Sequence, residues 1–121
     1  LKKLKTTEIK AFREQLLKEQ NNQCGLCEEP LLPEEAVLDH SHKTGRVRRV
    51  LHRGCNVLEG VIANNAVRNK ITKERLKVIC ENLPTYLETA EIDLLHPTHK
   101  TPEEKKLRAK RRKKRAIKPK P

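Results

Sequence analysis

The stretch AVLDHSHKTGRVRRVLHRGCNVLEG, Ala36 to Gly60, decides how this chain folds. Ala36-Val37-Leu38-Asp39 is short and β-prone. Lys43-Thr44-Gly45 follows as a turn. In the run Val47 to His52, Val47 and Arg49 alternate with polar and apolar neighbours, as in a half-buried strand. From Cys55 to about Val67 the spacing becomes helical, with Val57, Leu58, Val61 and Ile62 as its apolar residues. The expectation is strand, turn, strand, helix: a ββα unit between residues 36 and 67.

Two ligand pairs of equal spacing frame that unit. Cys24-x-x-Cys27 precedes it, and His52-x-x-Cys55 closes it after 24 intervening residues. Two residues between donors let one turn present both to a metal, and two such turns complete a closed tetrahedral zinc site. Paired Cys in a reducing compartment bind metal more often than they form a disulfide. Two other arrangements use the same thiols: Cys80 replacing His52 as fourth ligand, or a Cys24–Cys27 disulfide. Against the first, Cys80 sits beside Ile79 on a helical apolar stripe, where a small buried thiol is the ordinary expectation.

The rest of the chain cannot supply a large core. It has 121 residues, 35% of them apolar, and Phe12 and Tyr86 are its only aromatics. Domains this small often depend on a metal or an oligomer interface. No apolar run approaches the roughly 18 residues of a membrane span, and no signal peptide is visible. The chain holds no Met and begins at Leu1, so a start codon is expected upstream or removed. Thr7 to Gln20 reads as an amphipathic helix, with Thr7 as N-cap and Ile9, Phe12, Leu16 and Leu17 on one face. Asn21-Asn22-Gln23 breaks it. A further helix is expected from Thr72, with Leu76, Ile79 and Leu83 on one face, ended or kinked by Pro84. The expected domains are an N-terminal helix (1–22), a zinc-bound core with its following helices (23–95), and a linker with a basic tail (96–121).

Charge divides the chain just as sharply. Net charge is +12. From Lys105 to Pro121 there are eleven Lys or Arg and no acid, so residues 1–104 carry only +1. Ten bases against three acids between Asp39 and Lys77 make a second basic region. Such blocks are the footprint of a polyanion binder, because each neutralised phosphate releases counterions. The plainer alternative for the tail is a solvated or localisation segment. With two aromatics, base stacking on a sheet platform is a poor candidate, and phosphate contact on duplex or branched DNA suits the composition better.

A closed four-ligand zinc site performs no chemistry, so reactive groups must lie elsewhere. Asp39-His40-Ser41-His42 ends the first strand, Asn56 follows the last zinc ligand, and Glu59 lies three residues on. Oxygen donors such as Asp39 and the Asn56 amide suit Mg²⁺, and the adjacent His40 suits a general base near neutral pH. Taken singly, His42 and Glu59 could equally be solvated polar residues.

Cys24-x-x-Cys27, Leu38-Asp39-His40-Ser41-His42, Gly45-Arg46-Val47-Arg48 and Leu51-His52-Arg53-Gly54-Cys55-Asn56-Val57-Leu58-Glu59-Gly60 together resemble the phage recombination endonuclease VII family of HNH, or ββα-metal, nucleases. The resemblance covers about residues 20–65. It departs from the family at His52, where a third Cys is usual, and in the short segment between the ligand pairs.

The resemblance implies an α+β, mostly helical fold, with a zinc-stapled ββα-metal core flanked by helices and a basic tail that is disordered or helical. It implies zinc on Cys24, Cys27, His52 and Cys55, and Mg²⁺ or Mn²⁺ on Asp39 and Asn56. His40 would deprotonate a water for attack on a phosphodiester, leaving 5′-phosphate and 3′-hydroxyl ends. His42 would contact the scissile phosphate or help orient the site, and Glu59 would complete or orient the metal shell. Arg46, Arg48, Arg49 and Arg53, with Arg111, Arg112, Lys113 and Lys114 of the tail, would clamp DNA. The product would be an endonuclease in the cytoplasm of a phage-infected bacterium, either a dimeric junction resolvase or a duplex nickase. The competing class is a non-catalytic zinc module that binds DNA or RNA through its basic patches.

Overall fold

A short 3-10 turn at Thr6–Glu8 leads into helix α1 (Ile9–Glu19) in the computed structural model, which describes residues 1–89 and 91–117. Strand β1 (Ala36–His40), strand β2 (Val47–His52), helix α2 (Arg53–Arg68), helix α3 (Lys73–Leu87) and helix α4 (Pro102–Ile117) follow in order. The architecture is α+β and mostly helical, with one two-stranded antiparallel sheet. Two compact units divide the chain, Leu1–Asn82 and Leu83–Pro121. Among the described residues, no helix is long and apolar enough to cross a membrane.

The expected Thr7 cap is replaced by a different device. The Glu8 carboxylate accepts the Lys5 N–H at 3.0 Å, so the chain winds up two residues earlier and Thr7 falls inside the 3-10 turn. At the other end, Asn22 N–H bonds Leu17 O at 2.9 Å and Asn21 N–H bonds Lys18 O at 3.0 Å. That Schellman pattern needs left-handed residues after the cap. Asn21 and Asn22 supply them, with φ of 57° and 56°, a conformation Asn tolerates better than most.

Gln20, which caps α1, ties the helix to the hairpin. Its buried amide accepts the Val50 N–H at 2.8 Å and donates to Val50 O and Gln23 O, both at 2.9 Å. Both backbone groups of Val50 are thereby paired on the edge of β2 that β1 does not cover. Gln20→Ala would leave the buried Val50 N–H without a partner, at a cost of about 1–3 kcal/mol. A lowered urea midpoint of the zinc-loaded protein should report this; an unchanged midpoint would dismiss the tie.

The core is small. Leu17, Cys24, Leu31, Ala36, Val50 and Leu51 form it, with Leu16, Leu38 and Cys55 packed against them. Strict alternation along β2 does not hold, because Val47, Arg48 and Arg49 are exposed while both Val50 and Leu51 are buried. Neighbouring residues point to opposite faces of a strand, so this end of the hairpin is covered on both sides; α1 and α2 each pack on both strands.

Register explains the exposed end. Leu38 pairs with Val50 but His40 pairs with Val47, so Arg48 and Arg49 together oppose the single residue Asp39. This is a β-bulge, which bends the strand and re-aims its side chains.

Pro84 lies inside α3, and the helix continues through it to Leu87. No residue of α3 is buried. Cys80, expected as a buried thiol, is exposed instead, as are Ile79 and Leu83 of the same stripe, while Leu76 is half-buried. In the second unit the basic tail is helical. Thr101 Oγ1 accepts the Glu104 N–H at 3.2 Å, and Pro102 occupies the first helical position. Glu103 and Glu104 lie in the first turn and Lys114 and Arg115 in the last, matching the helix dipole. Lys118 and Lys120 of the basic run lie outside the described residues.

Candidate active site

The ligand pairs meet where strand runs straight into helix. Cys24-Gly25-Leu26-Cys27 folds into a knuckle in which Cys24 N–H bonds Glu29 O at 2.9 Å and Glu28 N–H bonds Cys24 O at 3.0 Å. Glu28 takes the left-handed φ of 66° that this turn needs. Gly25 fits because Arg49 crosses it closely; a methyl at Gly25 would fall 2.7 Å from Arg49 Cβ. The second pair straddles the junction of β2 and α2, with His52 ending the strand and Cys55 in the first turn of the helix.

Sγ of Cys24, Cys27 and Cys55 and a ring nitrogen of His52 all lie within 4.8 Å of one another. Tetrahedral zinc with bonds of about 2.3 Å to sulfur separates such donors by about 3.8 Å, so the group fits the ion. Cys80 is not among them.

Backbone and neighbours prepare these donors. The Leu26 and His52 N–H groups each donate to Cys24 Sγ at 3.4 Å. Burial pushes the Cys24 thiol up, but the backbone N–H groups of Cys27, His52 and Leu26 and the His52 ring outweigh it, bringing the value down to about 6. Burial and the neighbouring Cys27 and Cys24 push Cys55 up to about 11. Hydrogen bonding to Cys24 raises the His52 imidazole, with burial opposing and the Pro30 carbonyl adding to the rise. His52 Nε2 bonds that carbonyl at 3.0 Å, and Nδ1 faces the sulfurs, 3.3 Å from Cys27 and 3.9 Å from Cys55. A carbonyl can only accept, so Nε2 carries the proton and Nδ1 is free to ligate, the usual outer-shell arrangement of a zinc histidine.

The second cluster lies on the hairpin beside α2. Asp39 is 7% exposed. Arg48 Nε donates to its Oδ2 at 2.8 Å and Arg48 Nη2 to its Oδ1 at 3.3 Å. The same Nη2 donates to Glu59 Oε1 at 3.1 Å. One guanidinium therefore joins the two carboxylates.

Asn56 shares the inward face of α2 with Cys55, Glu59, Ile62 and the buried Ala66. His40 stands exposed at the end of β1, its ring 4.9 Å from that of His42 and tilted by 40°. The two imidazoles are held near each other by the closing turn, where Ser41 Oγ accepts the Lys43 and Thr44 N–H groups at 3.2 Å. Gly45, at φ 76°, completes that turn. Asp39 and Glu59 offer carboxylate oxygens and Asn56 an amide oxygen, donor types that suit Mg²⁺ or Mn²⁺.

The family model for recombination endonuclease VII matches residues 2–91. The chain belongs to the recombination endonuclease VII family. Membership supports a nuclease acting on branched DNA. Comparison with curated proteins returned no match. The family match takes in α1, the knuckle, the hairpin, α2 and α3, and ends before α4.

Of the arginines expected on DNA, Arg46 borders a groove that His40, Lys2 and Lys3 also line. Arg53 is exposed on the first turn of α2, and Arg49 lies over the knuckle. Arg48 has a different place from the other three: its head group is taken up by the carboxylates of Asp39 and Glu59. Sequence reasoning missed that role. The signal was present in the turn at Lys43-Thr44-Gly45, which folds the second strand back on the first and brings Arg48 opposite Asp39. Arg111, Arg112, Lys113 and Lys114 are exposed on α4, in the second unit.

Proposed function

We propose that this member of the family is a divalent-metal-dependent endonuclease that hydrolyses phosphodiester bonds in branched or duplex DNA, with a structural zinc on Cys24, Cys27, His52 and Cys55. The supporting observation is the exposed His40 imidazole on the residue next to buried Asp39, with Glu59 joined to the same carboxylate through Arg48. Asp39 and Asn56 hold Mg²⁺ or Mn²⁺, with Glu59 completing or orienting that shell. When bound, the cation neutralises charge building on the phosphate and on the departing 3′-oxygen. His40 takes the proton of the attacking water at its ring nitrogen. His42, beside it, orients the scissile phosphate. The ends left are a 5′-phosphate and a 3′-hydroxyl.

Cutting of supercoiled plasmid and of a four-way junction, side by side in Mg²⁺ and in EDTA, tests the proposal. Metal-dependent cleavage of either supports it. Intact DNA in Mg²⁺ and Mn²⁺, with zinc bound and the fold confirmed, would leave the non-catalytic zinc module.

A homodimer accords with the apolar side chains left exposed on α2, namely Val57, Leu58 and Val61. Light-scattering mass on the same samples decides between it and a monomer.

The tail adds DNA affinity. On α4, Arg108, Arg111, Arg112 and Arg115 recur at i, i+3, i+4 and i+7 and line one groove with Lys100, Glu104 and Leu107. Planar guanidinium forks on one face match phosphate oxygens better than scattered point charges would. Deleting residues 105–121 is expected to weaken DNA binding and flatten its salt dependence, by roughly 0.9 in log–log slope for each duplex phosphate that the tail neutralises. An unchanged slope would show that the tail does not touch DNA.

A further inference from the structure

We propose that the Arg48 guanidinium competes with the divalent cation for the Asp39–Glu59 carboxylate pair, and that metal entry releases it to a DNA phosphate. The proposal rests on the metal-dependent nuclease reading above and adds a coupling between metal and substrate that the reading does not contain.

Three observations carry it. Both Asp39 oxygens accept from one guanidinium, at 2.8 and 3.3 Å, and the nitrogen at the longer distance also reaches Glu59 at 3.1 Å. The carboxylates are well covered while the cation is not: the side chains of Asp39, Glu59 and Arg48 are 8%, 24% and 43% exposed. The fixed partners are thus the anions, and Arg48 is the group with open space to move into. Finally, the bulge sets Arg48 and Arg49 together against Asp39. Arg49 lies over Gly25 of the knuckle, and Arg48 is the one turned to the carboxylates.

Charge then dictates the exchange. Two carboxylates and one guanidinium sum to −1, so the pair still attracts a cation. A divalent ion on the same oxygens would sit within a few ångströms of the guanidinium, and like charges that close repel strongly at a partly buried site. With the ion in place the pair is neutral and has no further claim on Arg48. The freed fork lies on β2, just after the exposed Arg46 that precedes the strand, facing the solvent from which DNA arrives. A bidentate guanidinium–phosphate pairing replaces the guanidinium–carboxylate one. Linkage makes the effect reciprocal: metal must tighten DNA, and DNA must tighten metal, by the same factor.

Titrating the zinc-loaded full chain with Mn²⁺ alone, followed by the disappearance of the free-ion electron paramagnetic resonance signal, tests the exchange without any turnover. Arg48→Gln is expected to bind Mn²⁺ more tightly than the wild type, by roughly the 5–150-fold typical of coupled sites. Arg48→Lys, which keeps the charge but lacks the fork, should fall between them. Weaker or unchanged Mn²⁺ binding in these variants would overturn the proposal, since it would mean that Arg48 merely holds the carboxylates in place. Should Arg48→Gln fail to fold, Arg48→Lys alone carries the same decision.

A second readout uses four-way-junction binding by the His40→Ala protein. Mn²⁺ should steepen its salt slope by roughly the increment of one phosphate. The further change Arg48→Gln should remove that increment, and an equal increment with and without Arg48 would overturn the release. Asp39→Asn separates the two readings. Abolished Mn²⁺ binding in Asp39→Asn without tightening in Arg48→Gln defeats the exchange alone. Undiminished Mn²⁺ binding in Asp39→Asn defeats both.

Discussion

His40→Ala is expected to lower DNA cleavage by about 10²–10⁴-fold, the usual contribution of a positioned general base, while DNA affinity and zinc content stay unchanged. The separation is sharp because of where His40 stands. Its side chain is exposed at the end of β1, with the His42 ring beside it, and it belongs to neither the core nor the four-donor group. Removing it should cost little stability. The measurement is the initial rate of plasmid and junction cutting in Mg²⁺, beside anisotropy binding of the same junction. Unimpaired cutting would remove His40 from the mechanism, and abolished binding would mean that it holds DNA rather than activating water. His42→Ala should reduce the rate less, since an orienting group takes no proton from the attacking water.

Removing zinc is expected to have the largest effect on the protein itself. Structural zinc contributes on the order of 10 kcal/mol in comparable peptides, as much as the whole net stability of about 5–15 kcal/mol of an ordinary domain. Here the donors are also structural joints. Cys24 is 2% exposed within the core, Cys55 packs against it, and His52 links β2 to α2. Chelation, or Cys27→Ala, should therefore abolish cooperative thermal unfolding of the first unit, followed by circular dichroism. Cys80→Ala should do nothing of the kind, because Cys80 is exposed and outside the donor group. A cooperative melt that survives chelation would refute the structural role. Zinc uptake should also release protons, since the Cys55 thiol is held up near 11.

Whatever depends on short spacing is legible along the chain. Cys24-x-x-Cys27 and His52-x-x-Cys55 need only one turn each to present two donors, and the helical repeat of apolar residues marks α1 and α2. The cap of α1 is less legible, because Glu8 reaches back to Lys5, a side-chain choice that competes locally with Thr7. Pro84 suggests a helix end, yet α3 continues to Leu87. Charge alone leaves the tail open between disorder and helix. Its Thr101 cap, Pro102 and acidic first turn favour helix through local hydrogen bonding and dipole terms.

Sequence alone determined the four donors that cluster, the ββα order, the basic charge and the family. Tertiary structure alone decided which cations are held by carboxylates, whether Cys80 is covered, and that Gln20 closes the open edge of β2. The physical reason is the range of the interactions. Knuckles and helix faces are set within a few residues by backbone geometry. The Asp39–Arg48–Glu59 bridge depends on a one-residue bulge in strand register and on the helix laid beside it, and such a meeting of distant residues exists only once the chain has folded.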